Sequence, residues 1–333
     1  MSSSIKSRDV SFDVLRWIAL TGIILVHSKP SVFWTQLRNF DVPLMVLVSA
    51  ICFSLTAGDG VKSIKDYYLK RFVRLILPAW VFLSGYFVIC YIVGKDFSLG
   101  KFVMCYTLTT SWYFWIIRIL VFMAIIAPWL FHFSKQITNI KLIVICALGL
   151  VLSEILANFS FGYIYLIVVM FLPYTVYYCI GMNISRFSDR QIRNTGLLFL
   201  GLYLVIALIL YHKTGTYIST DDYKYPPQIY YTSYALGISF ILYVYRSKIV
   251  VLLKAIRLQK FASFVGAHTL WIYFWHIPIV EYMAEHFNTI TTFVTVYFVS
   301  IFVTYLQSVI INKICSGINN QKLRKNLQMI FIG

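Results

Sequence analysis

Charge is what this sequence has least of. Only 12% of its 333 residues are charged, and the acidic ones number just 12. A soluble globular domain carries roughly a quarter charged residues, so a soluble enzyme, a disordered chain and a fibrous protein are all excluded. No hydrophilic stretch approaches domain length, so no appended soluble domain of about 100 residues or more is expected. Internal repeats, low-complexity tracts and long linkers are also lacking, and 1–333 reads as one domain. The six cysteines (Cys52, Cys90, Cys105, Cys146, Cys179 and Cys315) lie mostly in apolar runs, with no CxxC or Cys/His spacing. They read as small buried hydrophobes rather than disulfides, and no metal is expected. A cleavable leader is not expected either, because the first apolar run holds Asp13 and Arg16 and lacks a small-residue cleavage site.

What the chain does have is apolar length. Its 60% hydrophobic content is enough for about ten membrane helices of about 20 residues each. The runs are 11–28, 41–57, 75–94, 113–133, 140–157, 163–183, 195–212, 228–246, 261–283 and 291–312. Helices are required because backbone groups cannot stay unpaired in lipid, and the runs are too long and too uniformly apolar for a β-barrel. The expected fold is therefore an all-α polytopic membrane protein with about ten transmembrane helices.

The net charge of +17 would suggest nucleic acid on a soluble protein. With a cytoplasmic N-terminus, however, 21 Lys and Arg fall on the inner side and 6 on the outer. That asymmetry over short loops is the positive-inside pattern. It places both termini in the cytoplasm, and the surplus charge faces the anionic inner leaflet, so nucleic acid is not needed to explain it. The longest hydrophilic loop, 213–227, lies outside and holds Asp221, Asp222, Lys224 and the Pro226-Pro227 pair, which stiffens the approach to the eighth span.

Ionisable groups inside spans are functional hypotheses by default. Asp13, Arg16 and His27 share the first span. Arg16 and His27 are eleven residues apart, about three turns and about 16 Å of rise, on one helical face. Asp13 can pair with Arg16 at i−3. The stripe reads either as interfacial anchors or as the lining of a cavity. Lys70, Arg71 and Arg74 precede the third span, where Arg71 and Arg74 at i, i+3 are either a positive anchor or a clamp for phosphates. On the outer side, His276, Arg118, Glu154, Asp41 and Glu281 lie at depths that would let them converge on one outward-facing pocket. His268 is on the ninth span near its inner end.

Several segments, in order, resemble the membrane acyltransferase-three family of polytopic bacterial O-acyltransferases. Asp13-Val14-Leu15-Arg16 followed by His27 is similar to its R-x10-H signature, and Arg71-Phe72-Val73-Arg74 to its RxxR motif. Pro43-Leu44-Met45-Val46-Leu47-Val48-Ser49 resembles the start of its second span, Gly266 to His276 its ninth-span motif, and Lys224 to Tyr231 a loop of polysaccharide-modifying members. Two positions depart from the pattern. Ala50 stands where the family has Gly, and His268 where it has Ser. The hydrolase-like extra domain of some relatives is absent.

The resemblance implies transfer of an acetyl group from cytoplasmic acetyl-CoA to a sugar hydroxyl of a surface polysaccharide or its lipid-linked precursor, such as O-antigen or capsule, in the bacterial inner membrane. Arg71, Arg74 and Lys70 would meet the CoA phosphates, and its arm would pass Arg16. His27 would be the general base, an imidazole being suited to that role near neutral pH, with Arg16 and Asp13 in support. His276, Arg118, Glu154 and Asp41 would hold the acceptor, and Arg118 or His276 would stabilise the oxyanion. A polysaccharide exporter or secondary transporter, or an assembly subunit of a glycan-synthesis complex, are the competing classes.

Overall fold

In hydrocarbon every backbone N–H and C=O must find an internal partner, and among the described residues every regular element is helical. A computed structural model describes residues 9–58, 60–94, 98–109, 112–159 and 162–333, with side chains throughout except at 163–169. The helices are α1 (Val10–His27), α2 (Val32–Arg38), α3 (Asp41–Ala57), α4 (Ile64–Arg71), α5 (Leu77–Ile92), α6 (Leu99–Tyr106), α7 (Trp115–Gln136) and α8 (Asn139–Ala157). They continue with α9 (Gly162–Asn183), α10 (Asp189–Thr214), α11 (Ile229–Ala255), α12 (Gln259–Ala267), α13 (Thr269–His286), α14 (Thr289–Ser316) and α15 (Gln321–Phe331).

A long helix occupies each of the ten expected apolar runs, but eight helices among the described residues are long and apolar enough to cross a membrane by length and composition. The two outside that set are α9 and α13. The ninth run, expected as one span over 261–283, is split at His268 into α12 and α13. Glu281 and Glu285 near the far end of α13 also dilute its hydropathy. The six cysteines form no disulfide among the described residues, and all but Cys52 are buried.

The loops sort onto two ends of the bundle. Lys135 donates to the Gly58 carbonyl at 2.6 Å, and Arg186 to the carbonyls of Ser134 (2.7 Å) and Ile137 (3.2 Å). Arg246 lies over the Phe12 ring at 5.9 Å. These segments therefore share the end where α1 begins, here the basic end. His27, Arg38 and Asp221 share the other.

Three local features have identifiable causes. Between α4 and α5 the helix widens into a π-helical turn, Phe72–Ile76. Pro78 follows within the first turn of α5; it has no N–H for the Arg74 carbonyl four residues back, and its ring crowds that carbonyl. The widened turn accommodates both, and such turns are frequent at functional sites. Pro128 similarly leaves the Ala124 carbonyl of α7 without its helical donor. The Tyr67 hydroxyl takes that role at 2.9 Å, with Tyr68 donating to Ile125 O at 2.7 Å. The segment bearing Lys70 and Arg71 is thus fastened to α7.

The third feature is Gly266. A Cβ there would stand 1.8 Å from the Asp13 carbonyl oxygen, so only glycine lets α12 lie against α1. Gly181 of α9 does the same against the Leu47 carbonyl of α3 (2.6 Å) and the Ala50 Cβ (2.8 Å). The close α3–α9 crossing is therefore made with glycine on α9, facing Ala50 on α3.

Two outcomes are expected. Gly266→Ala should lower stability by about 3 kcal/mol, seen as a lower unfolding temperature in detergent. Gly201→Ala, where a Cβ meets open space, should not. For orientation, a membrane-impermeant thiol reagent on intact cells should label Tyr217→Cys, at an exposed position, and leave Lys65→Cys unlabelled until the cells are permeabilised. Labelling at 65 in intact cells would invert the assignment.

Candidate functional site

At the end opposite the basic loops, α1 terminates in His27, and the imidazole of His276 on α13 packs against it with ring centroids 5.1 Å apart. Tyr113 completes the cluster, 4.7 Å from His27 and 5.7 Å from His276. The Tyr273 hydroxyl donates to the Tyr113 carbonyl, fixing that loop to α13. His276 is fully buried, and its Nδ1 is hydrogen-bonded to the Tyr273 carbonyl. A carbonyl can only accept, so the proton sits on Nδ1 and Nε2 carries a lone pair. Among the described residues Nε2 has no hydrogen-bond partner.

Beside His27 lies a small cavity of about 110 Å³, lined by Arg38, Asp41, Asp221, Lys224, Tyr225 and Tyr273 among others. Its charged wall is an ion network of buried Arg38, Asp41 and Lys224 with half-exposed Asp221. Arg38, 4% exposed, bonds Asp41 Oδ2 at 3.2 Å and Asp221 Oδ1 at 3.1 Å. Lys224 stands 3.7 Å from Asp221. Asp41 also accepts from the Val42 N–H at 2.7 Å, its charge placed in the first turn of α3, where a helix favours an anion. Gly22 of α1 makes this arrangement fit, since a Cβ there would lie 3.0 Å from the Asp41 Cβ.

The loop that supplies Asp221 and Lys224 is fastened to α2. Gln36 Oε1 accepts from the Thr220 N–H at 2.9 Å. Asn39, with its amide oriented to suit its neighbours, donates to Asp221 Oδ1 at 3.0 Å and accepts from the Asp221 N–H at 3.1 Å. Tyr230 reaches back to the Ile218 carbonyl at 3.0 Å. Burial lowers the pKa of Lys224 to about 8; Arg38 adds to the lowering, while Asp41 and Asp221 oppose it.

The expected site residues separate into groups. His27 and Asp41 line the cavity, and His276 packs behind His27. Arg118 does not line the cavity and donates to the Thr109 carbonyl at 3.2 Å. Glu154 accepts from the Ile229 N–H at 2.6 Å, so it caps α11. Glu281 accepts from Tyr86 (2.7 Å) and Trp112 (3.1 Å) on a separate apolar groove between α5 and α13. The outer ionisable groups therefore do not converge on a single pocket.

At the basic end Arg16 pairs with Asp13 at 3.0 Å. Arg71 lies over the rings of Tyr67 (5.2 Å) and Phe53 (6.0 Å). Lys70 and Arg74 are exposed. The π-helical turn intervenes between Arg71 and Arg74, so the i, i+3 register of a regular helix does not hold there. None of these cations lines the His27 cavity. His268 occupies the α12–α13 junction, with Nδ1 at 2.7 Å from the Phe264 carbonyl.

Arg38, Asp221, Tyr113 and Tyr273 were not singled out from the sequence. The available signal was Arg38 three residues before Asp41 at the outer mouth of the second span.

Replacing Arg38 by Met should cost about 3 kcal/mol, because buried Asp41 loses its counter-charge, while half-exposed Asp221 is screened by solvent. Asp41→Asn added to it should recover part of the loss, measured as unfolding temperature in detergent.

No curated protein and no solved structure matches the chain. A family described as an acyltransferase domain, the acyltransferase-three family, matches residues 9–313. That span runs from the cap of α1 into the last turn of α14 and includes both histidines, the ion network and the basic residues of α4. The chain accordingly belongs to the acyltransferase-three family and is a multi-pass membrane acyltransferase.

Proposed function

We propose that the protein moves an acetyl group from cytoplasmic acetyl-CoA to a sugar hydroxyl of a cell-surface polysaccharide or its lipid-linked precursor, in the bacterial inner membrane. In this reading the chain crosses the membrane ten times with both termini inside. The observation that carries it is half-buried His27 packed on buried His276 beside a charged cavity, at the end of the bundle opposite Lys70, Arg71 and Arg74. Donor and acceptor are then drawn from opposite sides. The CoA phosphates meet the basic residues, Arg71 with its guanidinium braced on two rings and Arg74 and Lys70 exposed. Arg16, held by Asp13, lies about 16 Å of helix rise from His27, and the thin pantetheine arm covers that depth.

His27 faces the cavity and takes the acceptor proton. His276, its tautomer set by the Tyr273 carbonyl, supports that ring from behind, a positioning role in place of the sugar contact expected from sequence. Ligand pockets that enclose a whole small molecule run to about 300 Å³ or more. The cavity at His27 is smaller, so it receives the reacting carbonyl and hydroxyl, while the rest of the acceptor stays at its mouth.

Purified protein in lipid nanodiscs, given radiolabelled acetyl-CoA and the glycan fraction of the expressing cells, should transfer label to glycan. Glycan left unlabelled while acetyl-CoA still binds would support an exporter or assembly subunit instead. His27→Ala should reduce transfer by about 10²-fold or more, the scale of a lost general base, with CoA binding retained. Arg71→Ala with Arg74→Ala should raise the Kd for acetyl-CoA, by less at high salt because exposed charges are screened.

A further inference from the structure

His27 accounts for the proton in this reaction but not for the negative charge that forms on the thioester oxygen. Neither candidate drawn from the sequence reaches that atom. Arg118 is bonded to the Thr109 carbonyl, and His276 does not line the cavity. Two cations do line it. Arg38 is engaged by two carboxylates at hydrogen-bonding distance. Lys224 is different: 2% exposed, it has one long ion pair, 3.7 Å to Asp221, and its other close neighbours are the faces of Trp115 (5.9 Å), Tyr225 (5.4 Å) and Tyr231 (5.9 Å). Aromatic faces attract an ammonium but do not saturate its three N–H donors. A buried cation beside the base and with donors to spare is the arrangement that stabilises a developing oxyanion.

We propose that Lys224 is a catalytic residue, the group that stabilises the tetrahedral oxyanion formed when an acceptor hydroxyl attacks an acyl thioester beside His27. This rests on the acyl-transfer reading above. In the step, the hydroxyl oxygen bonds to the thioester carbon as His27 takes its proton, and the carbonyl π pair moves onto oxygen next to the Lys224 ammonium. Collapse restores the carbonyl and breaks the C–S bond. The departing thiolate receives the proton from His27, giving ester and free thiol. Lys224 stays protonated throughout and is neither consumed nor covalently changed.

The charged state has a pH limit. The groups around the ammonium are Arg38 of α2, Asp41 of α3, Asp221 and Tyr225 of its own loop, Tyr231 of α11, Tyr273 of α13 and His27 of α1. Burial and Arg38 lower its pKa, Asp41 and Asp221 oppose the lowering, and the balance is about 8. The cation therefore predominates at pH 7 and is lost as pH rises through about 8, so turnover should fall on that alkaline limb.

The test uses the nanodisc assay with radiolabelled acetyl-CoA and the glycan fraction. Lys224→Gln should lower kcat by roughly 10²-fold or more, with KM for acetyl-CoA little changed. Lys224→Arg, whose charge persists beyond pH 12, should retain activity and lose the alkaline limb. Lys224→Gln with wild-type kcat, or Lys224→Arg with an unshifted limb, overturns the assignment while leaving acyl transfer intact. A wild-type protein inert in the same assay overturns the acyl-transfer reading itself, and this role with it. Should the variants fail to fold, the wild-type profile decides: a rate that does not fall between pH 7 and about 9.5 excludes Lys224 as the required cation.

Discussion

Arg38 is the group on which the histidine end of this molecule depends. Its guanidinium is nearly removed from water and faces two carboxylates, one from the start of α3 and one from a loop 183 residues further along the chain. A buried charge left alone costs several kcal/mol, and so does each buried carboxylate without its partner. The only low-energy arrangement brings α2, α3 and the loop before α11 together. Asn39 and Gln36 reinforce that arrangement with neutral hydrogen bonds to Asp221 and Thr220. The cavity beside His27 is the space this network encloses, so the network that closes the loop also forms the polar wall of the site.

A second requirement operates along the helices, where each backbone group freed by proline needs a replacement partner. Pro78 is accommodated by a widened turn, and the carbonyl freed by Pro128 is met by the Tyr67 hydroxyl. Both adjustments act on the segment that carries Lys70, Arg71 and Arg74. The basic cluster is thus held by backbone repair as well as by side-chain packing. Arg71 lies over Tyr67 and Phe53, while Arg74 is exposed within the turn.

The helical spans were legible because an apolar run of about 20 residues needs no knowledge of its neighbours. The two histidines were legible for a related reason: residue type and depth along a helix can be counted. The break at His268 was not: it lies two residues beyond Gly266, whose approach to Asp13 spans some 250 residues of sequence. Arg38 was counted only as an outer-loop charge, and Lys224 as that and as the start of a family-like loop, because burial of a loop cation is decided by partners far away in sequence. Arg118 and Glu154 show the converse. Both are ionisable groups within apolar helices, which suggested a shared site, but each is satisfied by a nearby backbone group, a solution that residue type alone does not reveal.

Gly266 also bears on how the two imidazoles are held. With no Cβ between them, α12 and α1 meet backbone to backbone at the basic end, and Gly22 lets the Asp41 side chain of α3 lie against α1 near the other. Sliding α1 along α12 would drive backbone atoms into one another. The spacing of His27 and His276 is therefore set during folding, like the spacing of teeth on two gears cut from one blank. A substrate arriving at the cavity finds that alignment already made, and its binding energy need not be spent on assembling the pair.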